Sequence, residues 1–175
     1  MITESMVVEI APMRRRHLKR VLKIERAVYT RPWSRGLFIS ELGLRNTRTY
    51  FVARTGLKVV GYGGLMEVSD EGHITTLAVD PDCQRRGIAT QLLLALVAAA
   101  QKHNTTDVTL EVRVSNHAAQ ECYRQFGFAP AGIRKNYYPE SKEDALIMWV
   151  HEIDTPAYAD RLAAITARLM GKVNE

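Results

Sequence analysis

A chain of 175 residues, 46% hydrophobic and 25% charged, has the size and mix of one globular domain, which excludes disorder as its ground state. Its formal net charge of +5 suits a polyanionic neighbour or a bound polyphosphate alike. No basic run interleaved with aromatics marks a single-strand groove, so no direct nucleic-acid ligand is expected.

Residues 6–10 read as a short strand stopped by Pro12. An amphipathic helix follows, with Leu18, Val21, Leu22 and Val28 on one face and the basic side chains between Arg14 and Arg26 largely elsewhere. Arg31-Pro32-Trp33 breaks it, and Ser34 is placed to cap a second short helix reaching residue 44. Residues 49–54 and 58–68 read as strands joined at Thr55-Gly56, the second loosened by Gly61, Gly63 and Gly64. A third strand at 73–79 completes an antiparallel meander. The period then turns helical over 88–102, rich in alanine and leucine. Residues 108–114 alternate as a strand, and Ser115-Asn116 cap a helix that runs to about 126 and is ended by Gly127. Strands at 128–134 and 145–153 follow, joined by a polar loop holding Tyr137, Tyr138 and Pro139.

This order, in which helices interrupt runs of strands, implies an α/β (α+β) domain with a mixed, mostly antiparallel sheet and helices on both faces. Thr155-Pro156 opens a last helix with Tyr158, Leu162, Ile165 and Leu169 at helical spacing. It reads as a packing helix, with a partner surface as the other reading. The division expected is a domain at 1–153 and a helical extension at 154–175 packed on or near it.

The longest near-continuous apolar run, residues 92–100, falls well short of the roughly 20 residues of a membrane span, and the opening residues lack a signal-peptide pattern. Cys83 and Cys122 form neither a disulfide framework nor a zinc motif, and the histidines show no metal-ligand spacing. A cytoplasmic protein without a membrane or metal requirement is therefore expected.

The most informative stretch runs from Leu77-Ala78-Val79-Asp80-Pro81 to Gln84-Arg85-Arg86-Gly87-Ile88-Ala89. A strand ends, the chain turns and a helix begins within a few residues. Backbone N–H groups at a helix start lack intrahelical acceptors and carry the positive end of the helix dipole, which suits an anion. Glycine lets a phosphate approach the backbone, and Arg85 and Arg86 add charge. The spacing is neither a Walker loop nor a dinucleotide fingerprint.

That strand and Gln84-x-x-Gly87-x-Ala89 resemble the acetyl-CoA motif of the GNAT acetyltransferases. Leu110-Glu111-Val112-Arg113-Val114-Ser115-Asn116, Cys122-Tyr123 and Phe126-Gly127-Phe128 resemble the second half of the same fold. The Arg-x-Asn-Tyr-Tyr segment from Arg134 to Tyr138, the Glu-Asp-Ala-x-x-Met segment from Glu143 to Met148, and Pro32-Trp33 are similar to the RimI-type ribosomal-protein alanine N-acetyltransferases. The likeness covers roughly residues 6–152 and leaves the C-terminal helix outside.

The resemblance implies acetyl-CoA as co-substrate, held by the backbone of Leu77, Ala78 and Val79 and of Arg85, Arg86, Gly87, Ile88, Ala89 and Thr90, with Asn116 in contact. Asn116 is equally explained as a helix N-cap. It implies Glu111 as general base, directly or through a water, and Tyr123 as general acid. A cross-strand ion pair with Arg113 would account for Glu111 without catalysis, and packing of helix on sheet for Tyr123. Trp33, Tyr137 and Tyr138 are expected as walls of the acceptor groove. The implied acceptor is the N-terminal segment of a protein, ribosomal protein S18 by family likeness. Two alternatives stay open: an acetyltransferase for lysine or small amines, and a non-catalytic acyl-CoA-binding module.

Overall fold

Residues 7–173 are described by a computed structural model, and among them seven strands make one sheet. In chain order the elements are β1 (Glu9–Pro12), α1 (Leu18–Val28), α2 (Arg35–Gly43), β2 (Arg48–Thr55), β3 (Lys58–Val68), β4 (Glu71–Val79), α3 (Ile88–Lys102), β5 (Asp107–Arg113), α4 (His117–Gln125), β6 (Ala129–Tyr138), β7 (Glu143–Val150) and α5 (Pro156–Val173). The strands lie in the order β1-β2-β3-β4-β5-β7-β6. Every neighbouring pair is antiparallel except β4 with β5.

β1 lies three residues nearer the middle of the chain than the pattern suggests at its start, and Met6 lies outside the described residues. The strand does end at Pro12, which is its last residue and still pairs with Phe51. On an edge strand one side of the backbone has no ladder to join, so a missing N–H costs nothing there. At the other edge, β6 runs on through Tyr137 and Tyr138, which are strand residues and not loop residues. β7 ends at Val150 and not at 153; the chain turns at Glu152, with φ of 57°, and the Ile153 N–H bonds the Thr106 carbonyl.

β3 alternates its two faces sharply. A side chain at Gly61 or Gly63 would strike Ile88, Leu92 or Leu96, so α3 lies against that face. Tyr62 points the other way, into a cluster with Leu18, Val21 and Ile24 of α1 and Phe38 of α2. Each such fully buried side chain contributes about 1.5–3 kcal/mol. Gly64 has a separate reason: a Cβ there would fall 2.3 Å from the Tyr50 ring, which lies across the glycine. On α1 the buried residues Leu18, Val21, Leu22 and Glu25 follow helical spacing, while Val28, expected on that face, is 37% exposed.

α3, α4 and α5 share the largest cluster with β5 and β7. Tyr158, Leu162 and Ile165 of α5 belong to it, and the Tyr158 hydroxyl donates to the Phe126 carbonyl at 2.7 Å. α5 therefore packs as an apolar stripe should. Its far end reaches the start of α3, where Leu169 lies over Gly87.

Candidate active site

β4 and β5 pair at three positions only, Glu71 with Asp107, Gly72 with Val108 and His73 with Thr109. Beyond His73 the two strands part, and the edge of each faces an opening in the sheet. β4 beyond that point is still zipped to β3: the Asp80 N–H bonds the Val60 carbonyl. Strand alternation then turns the backbone of Val79 and Leu77 outward to the free edge, and that of Ala78 inward to β3. Two contacts agree with this, since the Leu77 carbonyl accepts from the Tyr29 hydroxyl at 3.0 Å and the Val79 carbonyl from the Gln84 side chain at 3.4 Å.

The loop that follows leads directly into a helix start. Asp80 accepts from the Asp82 N–H and is ion-paired with Arg20, which fixes the turn after the strand. Arg85 and Gly87 both take positive φ, 60° and 74°, and the first helical bond runs from the Gln91 N–H to the Gly87 carbonyl. The N–H groups of Ile88, Ala89 and Thr90 therefore sit at a helix start with no intrahelical acceptor. The outward Leu77 and Val79 N–H groups and this helix start present backbone donors of the kind that can hold an anionic ligand. Gly87 answers a second need as well, because a Cβ there would lie 2.8 Å from Leu169. Asn116 caps α4, accepting from the Ala119 N–H at 3.1 Å.

On the side of the sheet that carries α1 and α2, a cavity of about 500 Å³ reaches the opening between the strands. Glu111 of β5, Tyr123 of α4, Trp33, and Tyr137 and Tyr138 of β6 all line it. β5 alternates strictly, with Val108, Leu110 and Val112 buried in the core. Glu111 therefore falls on the opposite, cavity-facing side. Its carboxylate meets His73 Nε2 at 2.5 Å and Arg134 Nε at 3.3 Å. The hydrogen bond to His73, aided by the charge of Arg134 and opposed by burial, holds it below the usual carboxylate range.

The ion pair with Arg113 that would account for Glu111 without catalysis does not form. Arg113 instead binds Glu140 at 2.8 Å and Glu143 at 3.0 Å, and its guanidinium lies 3.8 Å over the Tyr138 ring. Those three contacts fasten the β6–β7 turn to β5 and set the aromatic wall in place. Burial pushes the Tyr138 phenol up to about 12, despite the nearby Arg113 charge. Tyr137 stands edge-on to Tyr138 at 5.2 Å.

Tyr123 is buried, stacked edge-on against Phe128 at 5.9 Å, and burial pushes its hydroxyl far above the usual phenol value. It stays protonated at any neutral pH, as a proton donor must. Trp33 is held by its backbone, which donates to Glu25 Oε1 at 2.9 Å, and by ring contact with Phe38 at 5.3 Å. Cys122 lies near Thr90 at 3.9 Å with its thiol pushed up by burial, so it is no thiolate nucleophile.

Two residues of this cavity escape a reading of the sequence: Glu25 and His73. Glu25 left a trace, since a carboxylate at the fourth position of an apolar helical stripe is out of place. Buried to 2% exposure, it takes the Tyr62 hydroxyl and the Trp33 N–H, and burial raises its carboxyl. His73 left none, because its partner lies 38 residues away on a strand it barely pairs with. Among the described residues no group of three or more His, Cys, Asp or Glu side chains stands close enough to hold a metal ion. No described helix is long and apolar enough to cross a membrane.

The model of the acetyltransferase (GNAT) family matches residues 18–128. The [ribosomal protein bS18]-alanine N-acetyltransferase of Escherichia coli (strain K12) is 39% identical over 127 residues, 71% of this chain and 84% of that protein. Its namesake in Haemophilus ducreyi (strain 35000HP) is 36% identical over 132 residues, 74% of this chain and 90% of the other. The crystal structure of the ribosomal-protein-S18-alanine N-acetyltransferase from Escherichia coli superposes with a TM-score of 0.76 at 34% identity, covering 83% of this chain and 94% of that one.

Proposed function

The chain belongs to the acetyltransferase (GNAT) family, and from that premise we propose that it moves the acetyl group of acetyl-CoA onto the N-terminal α-amine of a protein, the alanine of ribosomal protein S18 being the acceptor. One observation carries the reading. The opening between β4 and β5 puts a ladder of free backbone groups at one mouth and a walled cavity with Glu111 and Tyr123 at the other. A thioester held at the first and an amine held at the second meet in the gap.

Each part of the chain has a task in this scheme. Leu77, Val79 and the amides from Arg85 to Thr90 hold the donor, with Asn116 setting the start of α4 beside it. Trp33, Tyr137 and Tyr138 form the walls against which the first residues of the acceptor lie. An N-terminal amine titrates at about 7.7–8.0, so removing its proton needs only modest help, which the Glu111 end of the cavity supplies. Tyr123, kept protonated by burial, returns a proton to the thiolate as it leaves. Holding amine and thioester together supplies about 7–11 kcal/mol of the rate gain by itself. Residues 1–153 are the catalytic domain in this reading and residues 154–175 an extension, whose α5 braces α3 and α4.

The test is thiol release from acetyl-CoA with a peptide that begins with a free alanine, beside the same peptide blocked at its N-terminus and carrying an internal lysine. Turnover of the free peptide alone is expected. Turnover of both peptides would make the chain a broader amine acetyltransferase. Donor binding with turnover of neither would leave a non-catalytic acyl-CoA-binding module.

A further inference from the structure

Resting on that reading of the cavity, we propose that the proton of the acceptor amine is taken by His73, with Glu111 acting as the carboxylate that holds the ring. The contact between them is 2.5 Å, and both side chains line the acceptor cavity. An ionised carboxylate accepts hydrogen bonds and cannot donate them, so His73 Nε2 carries the hydrogen toward Glu111. In the neutral ring Nδ1 is then the atom with a lone pair. Among the described residues it has no hydrogen-bond partner, and the side chain keeps 27% of its surface open. A carboxylate that fixes the tautomer and orientation of an imidazole, and steadies the cation it becomes, is a recurrent catalytic device.

The surroundings favour this division of labour. Glu111 spends one oxygen on His73 and the other on Arg134, and both contacts stabilise its charged form. Taking up a proton would forfeit both. Arg31 also lines the cavity but is a cation that accepts no proton, and the other carboxylates facing it are already committed. Glu41 of α2 is bound to Arg48 of β2 at 2.8 Å, Glu25 of α1 to Tyr62 and the Trp33 N–H, and Arg113 of β5 to Glu140 and Glu143. Tyr29 donates to the Leu77 carbonyl, and Tyr137 and Tyr138 are phenols raised by burial. An imidazole is the side chain suited to take and release a proton near neutral pH.

An ammonium acceptor gives one proton to Nδ1 of His73, directly or across one water, and the freed nitrogen pair attacks the thioester carbonyl carbon. A carbon–nitrogen bond forms, the carbon–sulfur bond breaks, and the sulfur takes a proton from the Tyr123 hydroxyl. The nitrogen's second proton restores that hydroxyl. His73 then passes the first proton to solvent, so the products are the acetylated peptide, free thiol and one proton.

The experiment compares the wild-type chain, His73→Gln and Glu111→Gln from pH 5.5 to 9.5, reading kcat, the KM for acetyl-CoA and the melting temperature. His73→Gln is expected to lose about 10²-fold in kcat at pH 7, within the usual range for one acid–base group. The loss should shrink toward pH 9, where the amine is neutral unaided. The acetyl-CoA KM should stay within about twofold of the wild type. A His73→Gln chain with wild-type kcat and pH profile, beside a crippled Glu111→Gln, overturns the proposal in favour of Glu111 alone. Imidazole nitrogen NMR of the wild-type chain gives a second reading that needs no variant to fold. The hydrogen on Nε2 and none on Nδ1 is expected for neutral His73, and the reverse tautomer overturns the proposal. A wild-type chain that turns over no N-terminal peptide fails the functional reading itself, while the tautomer still decides the pair.

Discussion

The two mouths of the opening between β4 and β5 are built on different principles. The mouth proposed for the donor is continuous: Leu77 to Thr90 is one stretch of chain, which presents backbone N–H groups because a strand loses its neighbour and a helix begins. The acceptor mouth is assembled: its side chains come from α1, α2, β4, β5, α4 and β6 and are locked by bonds across the fold, such as Glu25 to Tyr62 and Glu111 to His73. Backbone recognition suits a ligand whose shape never changes. Side-chain recognition from many elements suits an acceptor whose residues must be told apart, because every wall is separately replaceable.

Glu111→Gln removes the charge that holds His73 and Arg134, and a fall of about 10²–10³-fold in kcat/KM at pH 7 is expected, easing as pH rises past 8, with acetyl-CoA affinity retained. An unchanged pH–rate profile would remove Glu111 from the chemistry. Tyr123→Phe should cost about 10²-fold in kcat with little change in acetyl-CoA binding, and full activity would dismiss it as the donor. At the other mouth, Gly87→Ala should raise the acetyl-CoA KM about tenfold, equivalent to about 1.4 kcal/mol, while leaving the acceptor KM alone. The φ of 74° and the 2.8 Å approach of Leu169 both oppose a side chain there. Pairing Gly87→Ala with Leu169→Ala should recover part of the melting temperature and little of the affinity.

Smaller effects sharpen the picture of the acceptor walls. Glu25→Ala strands the Trp33 N–H and the Tyr62 hydroxyl, at about 1–3 kcal/mol of stability by denaturant unfolding, and should raise the KM of the peptide more than that of acetyl-CoA. Acid should loosen the β6–β7 turn. Glu140 is held down to about 2, first by the Thr30 hydroxyl, and Glu143 and Asp144 are also lowered. Depressed carboxyls stabilise the folded chain above their unfolded values near 4, and that contribution is lost as pH falls through the folded ones. Melting temperature should therefore hold from pH 7 to about 5 and decline toward pH 2, with Glu140→Gln flattening part of the decline.

Much of this was legible along the chain because its causes are local. Ser34 and Asn116 cap α2 and α4 as their types suggest, and the apolar stripe of α5 packs where a stripe must. The donor loop is readable for the same reason, since a strand end, a glycine and a helix start are properties of adjacent residues. Harder were the edges and the partners. Tyr137 and Tyr138 look like loop until β6 proves to run on to Tyr138, which pairs with Glu143 of β7 across an irregular register.

The order of strands and helices, the turn that leads to a helix start at Gly87 and, through its motifs, the family were all written along the chain. They could be read there because hydrophobic period, capping and turn chemistry act over a few residues. The separation of β4 and β5 after His73, the binding of Arg113 to the β6–β7 turn while Glu111 faces His73, and the approach of Leu169 to Gly87 come from the folded chain alone. Those outcomes depend on which side chains arrive at one place from distant parts of the chain, and a periodic pattern carries no record of who the neighbour across the sheet will be.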